Sequence, residues 1–279
     1  MTAALLVEPT FPGAHAGLLF MDADGYPSMS GHGLIAATTI ALERGLLFST
    51  EHAEGDAHLA IETVAGLMQV HARVDTRRGS PRVDSVTFTN VPAFVAAAAR
   101  PVTIGPRELR VDVAFGGAFY AIVDTEAVGI PLDPTRVPDL RRLGHDLLAS
   151  LNSAQPFVHP LETAITGVSA VIFTGLPHDP EAHLRNVTVT RGGAVDRSAG
   201  GTGTSAVMAV LDAMGLLPEG QPFVHEGLLG SLLRGAAIRR TSVGEYAALI
   251  TEIEGAAWII GEHIFDLDDD DPFRDGFRL

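Results

Sequence analysis

The 279-residue sequence contains no cysteine. That absence excludes disulfides, thiolate zinc sites and cysteine nucleophiles. Long apolar runs are missing too, since none reaches the about 18 residues that would span a membrane. The opening, Met1 to Leu6, has no basic region and no cleavage-site pattern follows, so no signal peptide is read and a cytoplasmic protein is expected. Positive charge is scarce: 19 basic residues stand against 34 acidic ones, for a net charge of −15. Such a surface repels nucleic-acid phosphates and anionic lipid, so neither is expected as a partner. Acidity says nothing against a small anionic substrate, because a local site can oppose the global field.

What is present is a succession of short β-branched or alternating runs. Gly17–Met21, Ala60–Val64, Gln69–Val74, Val83–Phe88, Arg110–Phe115, Ala121–Val123, Ala170–Phe173 and Asn186–Thr190 are each bounded by Gly, Pro, Asp or Asn and read as strands. Three helices are expected over Gly33–Arg44, Asp139–Leu151 and Thr204–Met214. Many strands with few helices indicate an α+β protein. The polar, turn-rich Asp75–Pro81 reads as a linker, and the alanine-rich Ala96–Arg100 as a short helix or loop flank.

An internal repeat is the most informative feature. Ser30-Gly-His-Gly-Leu-Ile-Ala36 aligns with Gly200-Gly-Thr-Gly-Thr-Ser-Ala206 at an offset of 170, and at the same offset Gly45-Leu-Leu47 matches Gly215-Leu-Leu217. Each copy reads as Gly-rich turn, helix, glycine stop, Leu-Leu. A helix start presents unpaired N–H groups and the positive end of the dipole, and glycine lets a ligand approach the backbone. Two such starts facing each other would hold one carboxylate without a basic side chain. Positions 30 and 200 would then flank the carbon next to that carboxylate, a frame for α-proton abstraction. Phosphate binding ranks lower, because no Walker-type lysine and no dinucleotide fingerprint accompanies either turn.

At these residues the sequence resembles the proline racemase family. Met29-Ser-Gly-His-Gly33 is similar to that family's Met-Cys-Gly-His-Gly, and Asp196-Arg-Ser-Ala-Gly-Gly-Thr-Gly-Thr-Ser205 to its Asp-Arg-Ser-Pro-Cys-Gly-Thr-Gly-Thr-Ser. Asn90–Phe94, Asp112–Ala121 and Asp271–Phe277 follow the family pattern as well. The resemblance implies a two-domain fold of the diaminopimelate-epimerase type, with pseudo-symmetric halves and the site in the cleft between them. The first half is expected over residues 1–75 with 263–279, the terminal segment returning to it, and the second over 80–262. It further implies an imino-acid or small-carboxylate substrate and no metal or organic cofactor, with a homodimer as a candidate assembly. Carried over by position, Ser30 replaces the first catalytic cysteine and Gly200 the second. Gly31, His32, Gly201 and Thr202 match carboxylate-binding positions, and Asp196 the acid near the substrate's ring nitrogen.

The departures shape the functional expectation. A serine hydroxyl is a far weaker acid than a thiol and needs an assisting base, while Gly200 can neither give nor take a proton. Two-base racemisation is the activity most damaged, and elimination needs only one face. A trans-3-hydroxyproline dehydratase is therefore the first expectation. A 4-hydroxyproline 2-epimerase or proline racemase and a non-catalytic carboxylate binder are the alternatives. Only 29 residues precede the first turn, against roughly 115 between the linker and the second. The family's Asp-His-Thr-x-Gly-Glu-Pro and Pro-Arg-Gly-His segments are absent, so the sequence is expected to be a shortened version of a longer protein with exposed apolar surface and strand edges. Of the remaining residues, His183 and Arg185 are expected in a loop and Trp258 in the core. The acidic run Asp266–Asp271 is expected as a solvated tail rather than a calcium loop.

Overall fold

The computed structural model describes residues 2–22, 25–48, 55–77, 79–153, 156–217, 222–264 and 266–276. In chain order the elements are β1 (Ala3–Val7), β2 (Ala16–Met21), α1 (Gly31–Glu43), β3 (Asp56–Thr63), β4 (Gly66–Asp75), β5 (Arg82–Thr89), β6 (Ala93–Ile104), β7 (Arg107–Phe115), β8 (Phe119–Asp124), α2 (Thr125–Val128), α3 (Val137–Ser153), β9 (Val168–Gly175), β10 (Leu184–Thr190), α4 (Gly201–Ala213), β11 (Phe223–Gly227), β12 (Leu232–Val243) and β13 (Tyr246–Gly255).

The strands hydrogen-bond in the order β1-β2-β3-β4-β5-β13-β12-β11-β10-β9-β8-β7-β6. β13 also pairs with β6, Ala248 opposite Phe94, so β6 to β13 close on themselves. Strand alternation decides what each face covers. On β8, Ala121 and Val123 point into the cluster that buries Leu140, Leu143, Leu147 and Leu151 of α3. Tyr120 and Ile122 point the other way, into the cluster holding Val207 and Met208 of α4 and Leu34 and Ile35 of α1. α3 therefore has one apolar face and covers the sheet from outside. α4 is buried from Gly201 through Val210 and fills the interior, which explains a helix almost without charge.

The repeat is realised as two 13-residue helices at the same offset of 170, each followed by a glycine of positive φ, Gly45 at 64° and Gly215 at 70°. Both start inside their glycine turns, two to three residues earlier than the periodicity predicts.

Several expectations need correction. Ala96–Arg100 is part of β6, not helix or loop flank. Pairing with β7 overrides alanine's helix preference, and register shifts at Val95/Ala97 and Ala97/Arg100, with Ala99 at φ 48°, absorb the irregularity. Asp75–Pro81 joins β4 to β5, which pair antiparallel, and β5 pairs onward with β13. The segment read as a linker is thus a hairpin connection, and the sheet runs on through it. Trp258 is 68% exposed rather than in the core, on the extended segment after β13 where Glu262 approaches Arg44, the residue that caps the end of α1, at 3.7 Å. β1 is an edge strand with Leu5 and Leu6 exposed. Among the described residues, no helix is long and apolar enough to cross a membrane.

Candidate active site

The two glycine turns meet. A Cβ placed on Gly31 would lie 2.7 Å from Gly201 Cα and 2.9 Å from Thr202 N, and one on Gly201 would lie 2.9 Å from Gly31 Cα. Only glycine at both positions lets the starts of α1 and α4 come this close. Their free N–H groups and positive dipole ends therefore converge on one place.

The caps differ in a way that matters. Ser30 caps α1 from an extended backbone, and its Oγ accepts the Gly33 N–H at 3.2 Å. The same oxygen is 3.5 Å from His32 Nε2. Gly200 caps α4 with φ 75° and ψ 115° and offers no side chain. Its carbonyl accepts the Thr204 N–H at 2.8 Å and the Thr204 hydroxyl at 2.7 Å.

Behind that cap sits a buried polar network. His225 Nδ1 lies 2.9 Å from Thr204 Oγ1, and Asn186 Nδ2 lies 3.0 Å from His225 Nε2 while donating to Ala199 O at 2.8 Å. Since the Thr204 hydroxyl donates to Gly200, the imidazole must donate from Nδ1 and accept at Nε2, which is its neutral form. Burial agrees, pushing the His225 pKa down to about 3.

A cleft of about 340 Å³ opens beside the paired turns, lined by Ser30, His32, Tyr120, Thr188, Asp196, Gly200 and Thr202 among others. Five of the residues expected in the site, Ser30, His32, Asp196, Gly200 and Thr202, are thus brought together on one wall system. Gly31 and Gly201 form the contact between the turns. Burial pushes the Asp196 carboxyl above its ordinary range, and His32 opposes that shift. Tyr120 and Thr188 were not among the expected site residues. The Tyr120 hydroxyl bonds Thr202 Oγ1 at 2.7 Å, and burial pushes its pKa up to about 12, so it stays a neutral phenol. Tyr120 falls within the Asp112–Ala121 family stretch, a signal that could have found it. Thr188 is shown only by its β10 register.

His183 and Arg185 do not line the cleft. His183 Nδ1 accepts the Val224 N–H at 3.0 Å. Arg185 is no loop residue: it is buried at the start of β10, 3.4 Å from Glu226, and donates to Leu132 O and Leu228 O. Asp268, Asp269 and Asp271 turn on themselves and hold Arg274, and no cluster with metal-ligand character exists among the described residues.

The family model for proline racemase matches residues 1–278. The chain belongs to the proline racemase family. A trans-3-hydroxy-L-proline dehydratase of Bacillus cereus is 37% identical over 279 residues, spanning 100% of this chain and 81% of its own length. A proline racemase of Clostridioides difficile is 35% identical over 280 residues, with 100% and 82% covered. The solved structure of a hydroxyproline epimerase from Agrobacterium vitis, with bound trans-4-OH-L-proline, superposes with a TM-score of 0.90 at 34% identity, covering 100% of this chain and 78% of that one. Family members are thus lyases and isomerases, and the α+β fold is of the diaminopimelate-epimerase type expected from the sequence. These relatives carry different activities at nearly equal identity, so choosing among them depends on the site.

Proposed function

We propose that this protein removes the α-proton of a small cyclic imino acid from one face only, and that its reaction is the dehydration of trans-3-hydroxy-L-proline. The carrying observation is the asymmetry of the two caps. Ser30, with His32 3.5 Å away, stands on one side, and Gly200, with no proton-carrying group of its own, on the other.

The substrate carboxylate is held at the paired starts of α1 and α4. As the α-carbon loses its proton, charge grows on that carboxylate, and the converging N–H groups stabilise it more than in the ground state. Ser30 Oγ takes the proton, and His32 Nε2 relieves the hydroxyl of its own, because an unassisted serine is too weak an acid to furnish alkoxide. In trans-3-hydroxy-L-proline the 3-hydroxyl is trans to the carboxylate and therefore on the same face as the α-hydrogen. The Cα–H and C3–O bonds break, a Cα=C3 double bond forms, and the proton held by Ser30 and His32 leaves with the hydroxyl as water. The enamine then tautomerises to the cyclic imine. One face suffices throughout.

The test is incubation of the purified chain with trans-3-hydroxy-L-proline and detection of the cyclic imine, with Ser30→Ala losing the product. Epimerised substrate without imine would reject the dehydratase in favour of an isomerase. Binding of pyrrole-2-carboxylate, a planar mimic of the deprotonated substrate, with no α-hydrogen exchange would favour a carboxylate binder.

A further inference from the structure

The wall around Gly200 is built for something other than a missing side chain. Among the described residues, a Cβ at this position would find only two neighbours within 4 Å outside its adjoining residues, Asp196 Oδ2 at 3.6 Å and Thr188 Oγ1 at 3.9 Å. Both are oxygens, and both residues line the cleft that also holds Ser30. Thr188 is 3% exposed and its hydroxyl has no hydrogen-bond partner among the described residues. A buried hydroxyl without a partner is costly, so one that faces a cleft points to something that binds there. The recess is small and polar, with a hydroxyl on one side and a carboxyl on the other. That suits a water molecule, which needs at least two polar partners, better than a carbon substituent.

We infer that Thr188 and Asp196 hold a water over Gly200 that carries protons to and from the second face of the substrate's α-carbon, opposite Ser30. The inference rests on the reading of Ser30 as the base of the first face. Thr188 is the positioning residue and Asp196 the proton reservoir. Burial holds the Asp196 carboxyl above its ordinary range, in the sense that favours a carboxylic acid able to donate. After Ser30 has removed the α-proton, one water O–H bond breaks as a new Cα–H bond forms on the far face. The Asp196 acid proton restores the water, and the proton taken from substrate remains on His32 until it exchanges with solvent. One proton leaves and one arrives, so the net result is inversion with no other reactant. With 3-hydroxylated substrate, departure of the hydroxyl intercepts the carbanion first. With an imino acid lacking that leaving group, the chain is a slow epimerase.

The experiment uses the full chain in deuterated water with L-proline and with trans-4-hydroxy-L-proline. α-Hydrogen loss is followed by NMR, and the recovered isomers are separated by chiral chromatography. Deuterium is expected in both the retained and the inverted isomer. In Thr188→Val, which keeps the shape of the side chain and removes the hydroxyl, the ratio of inverted to retained deuterated product should fall by about tenfold or more. Gly200→Ala, which puts a methyl into the recess, should lower the same ratio. This ratio does not move when a variant merely loses folded protein. Exchange with retention alone in the parent chain overturns the second-face water while leaving Ser30 as the base. A ratio unchanged in both variants overturns the assignment to Thr188 and this recess. No exchange into either isomer overturns the reading of Ser30, and the second-face water with it.

Discussion

Acidification should destabilise the fold through His225. The imidazole is fully buried, and burial lowers its pKa from 6.5 to about 3. The unfolded chain restores the ordinary value, so below about pH 6.5 unfolding takes up a proton that the folded state refuses. The folded pKa is the depressed one. Stability is therefore complete above the unfolded value and is lost progressively as pH falls from 6.5 towards 3. Each unit of pH in that window is worth about 1.4 kcal/mol, so the loss at pH 5 is about 2 kcal/mol. That is a large share of a typical domain's margin of 5–15 kcal/mol, roughly speaking. Protonation would also set an Nε2–H against the Asn186 amide N–H, while Nδ1–H keeps its bond to Thr204. Other groups contribute to acid loss, His159 among them with the same sign, since burial lowers it too. The informative measurement is therefore a difference. Urea denaturation of the parent chain and of His225→Gln, at pH 7 and pH 5, should show the pH-dependent loss smaller by about 2 kcal/mol in the variant. Equal pH dependence in the two proteins would mean that His225 titrates normally in the fold, and the network assignment would be wrong.

Two further substitutions probe the cleft directly. Gly31→Ala puts a methyl 2.7 Å from Gly201 Cα, where only backbone could give way, so a loss of about 1–3 kcal/mol in denaturant melts and abolished calorimetric binding of pyrrole-2-carboxylate are expected. Tyr120→Phe removes the partner of Thr202 Oγ1, and a weakening of pyrrole-2-carboxylate binding by about 1 kcal/mol is expected; in the parent chain the Tyr120 contribution should be the same at pH 7 and pH 9, because the phenol, at about 12, is neutral at both.

The sequence carried the site better than it carried the fold around it. Ser30, His32, Gly200 and Thr202 were legible as cleft residues because glycine turns and caps are local chemistry and a repeat at fixed offset says that two turns do the same job; Asp196 was marked only by the family resemblance. Their meeting at Gly31 and Gly201 followed from the repeat only as a symmetry argument, and the distances are what make it physical. The strands read from alternation, such as Val83–Phe88 and Asn186–Thr190, lie within observed strands. β6 was hidden because alanine favours helix in isolation and only β7 makes it a strand. β11, β12 and β13 carry no sharp turn-bounded alternation, and β13 gains its place by pairing with β12, β5 and β6. Asp75–Pro81 misled because the composition of a hairpin connection and of an interdomain linker is the same. Trp258 misled in the opposite direction, since a lone large apolar residue says nothing about which surface it will meet. Tyr120 and His225 act through Thr202 and Thr204, 82 and 21 residues away in sequence, and Thr188 faces the Gly200 position from another element; only Tyr120 falls in a stretch the family pattern marks.

At Ala199 and Gly200 the sequence departs from the family pattern in residues that restrict the backbone as well as in chemistry. In the motif it resembles, proline and cysteine stand where Ala199 and Gly200 stand here. A proline would fix its own φ near −65° and favour an extended residue before it. Without it, and with glycine next, the chain enters α4 through φ 75°, a conformation that side-chain-bearing residues adopt at a cost of about 1–2 kcal/mol. A cysteine placed here would therefore meet ordinary contacts, at 3.6 Å and 3.9 Å, but a strained backbone. The lost side chain and the left-handed cap fit each other, and the cap is in turn fixed by Thr204 and His225 on its carbonyl side. Space for a side chain remains, on a backbone conformation that is costly for a residue other than glycine. The cleft at Gly200 is lined by oxygen atoms of Asp196 and Thr188, while at the start of α1 it carries the Ser30 side chain, its extended cap and His32.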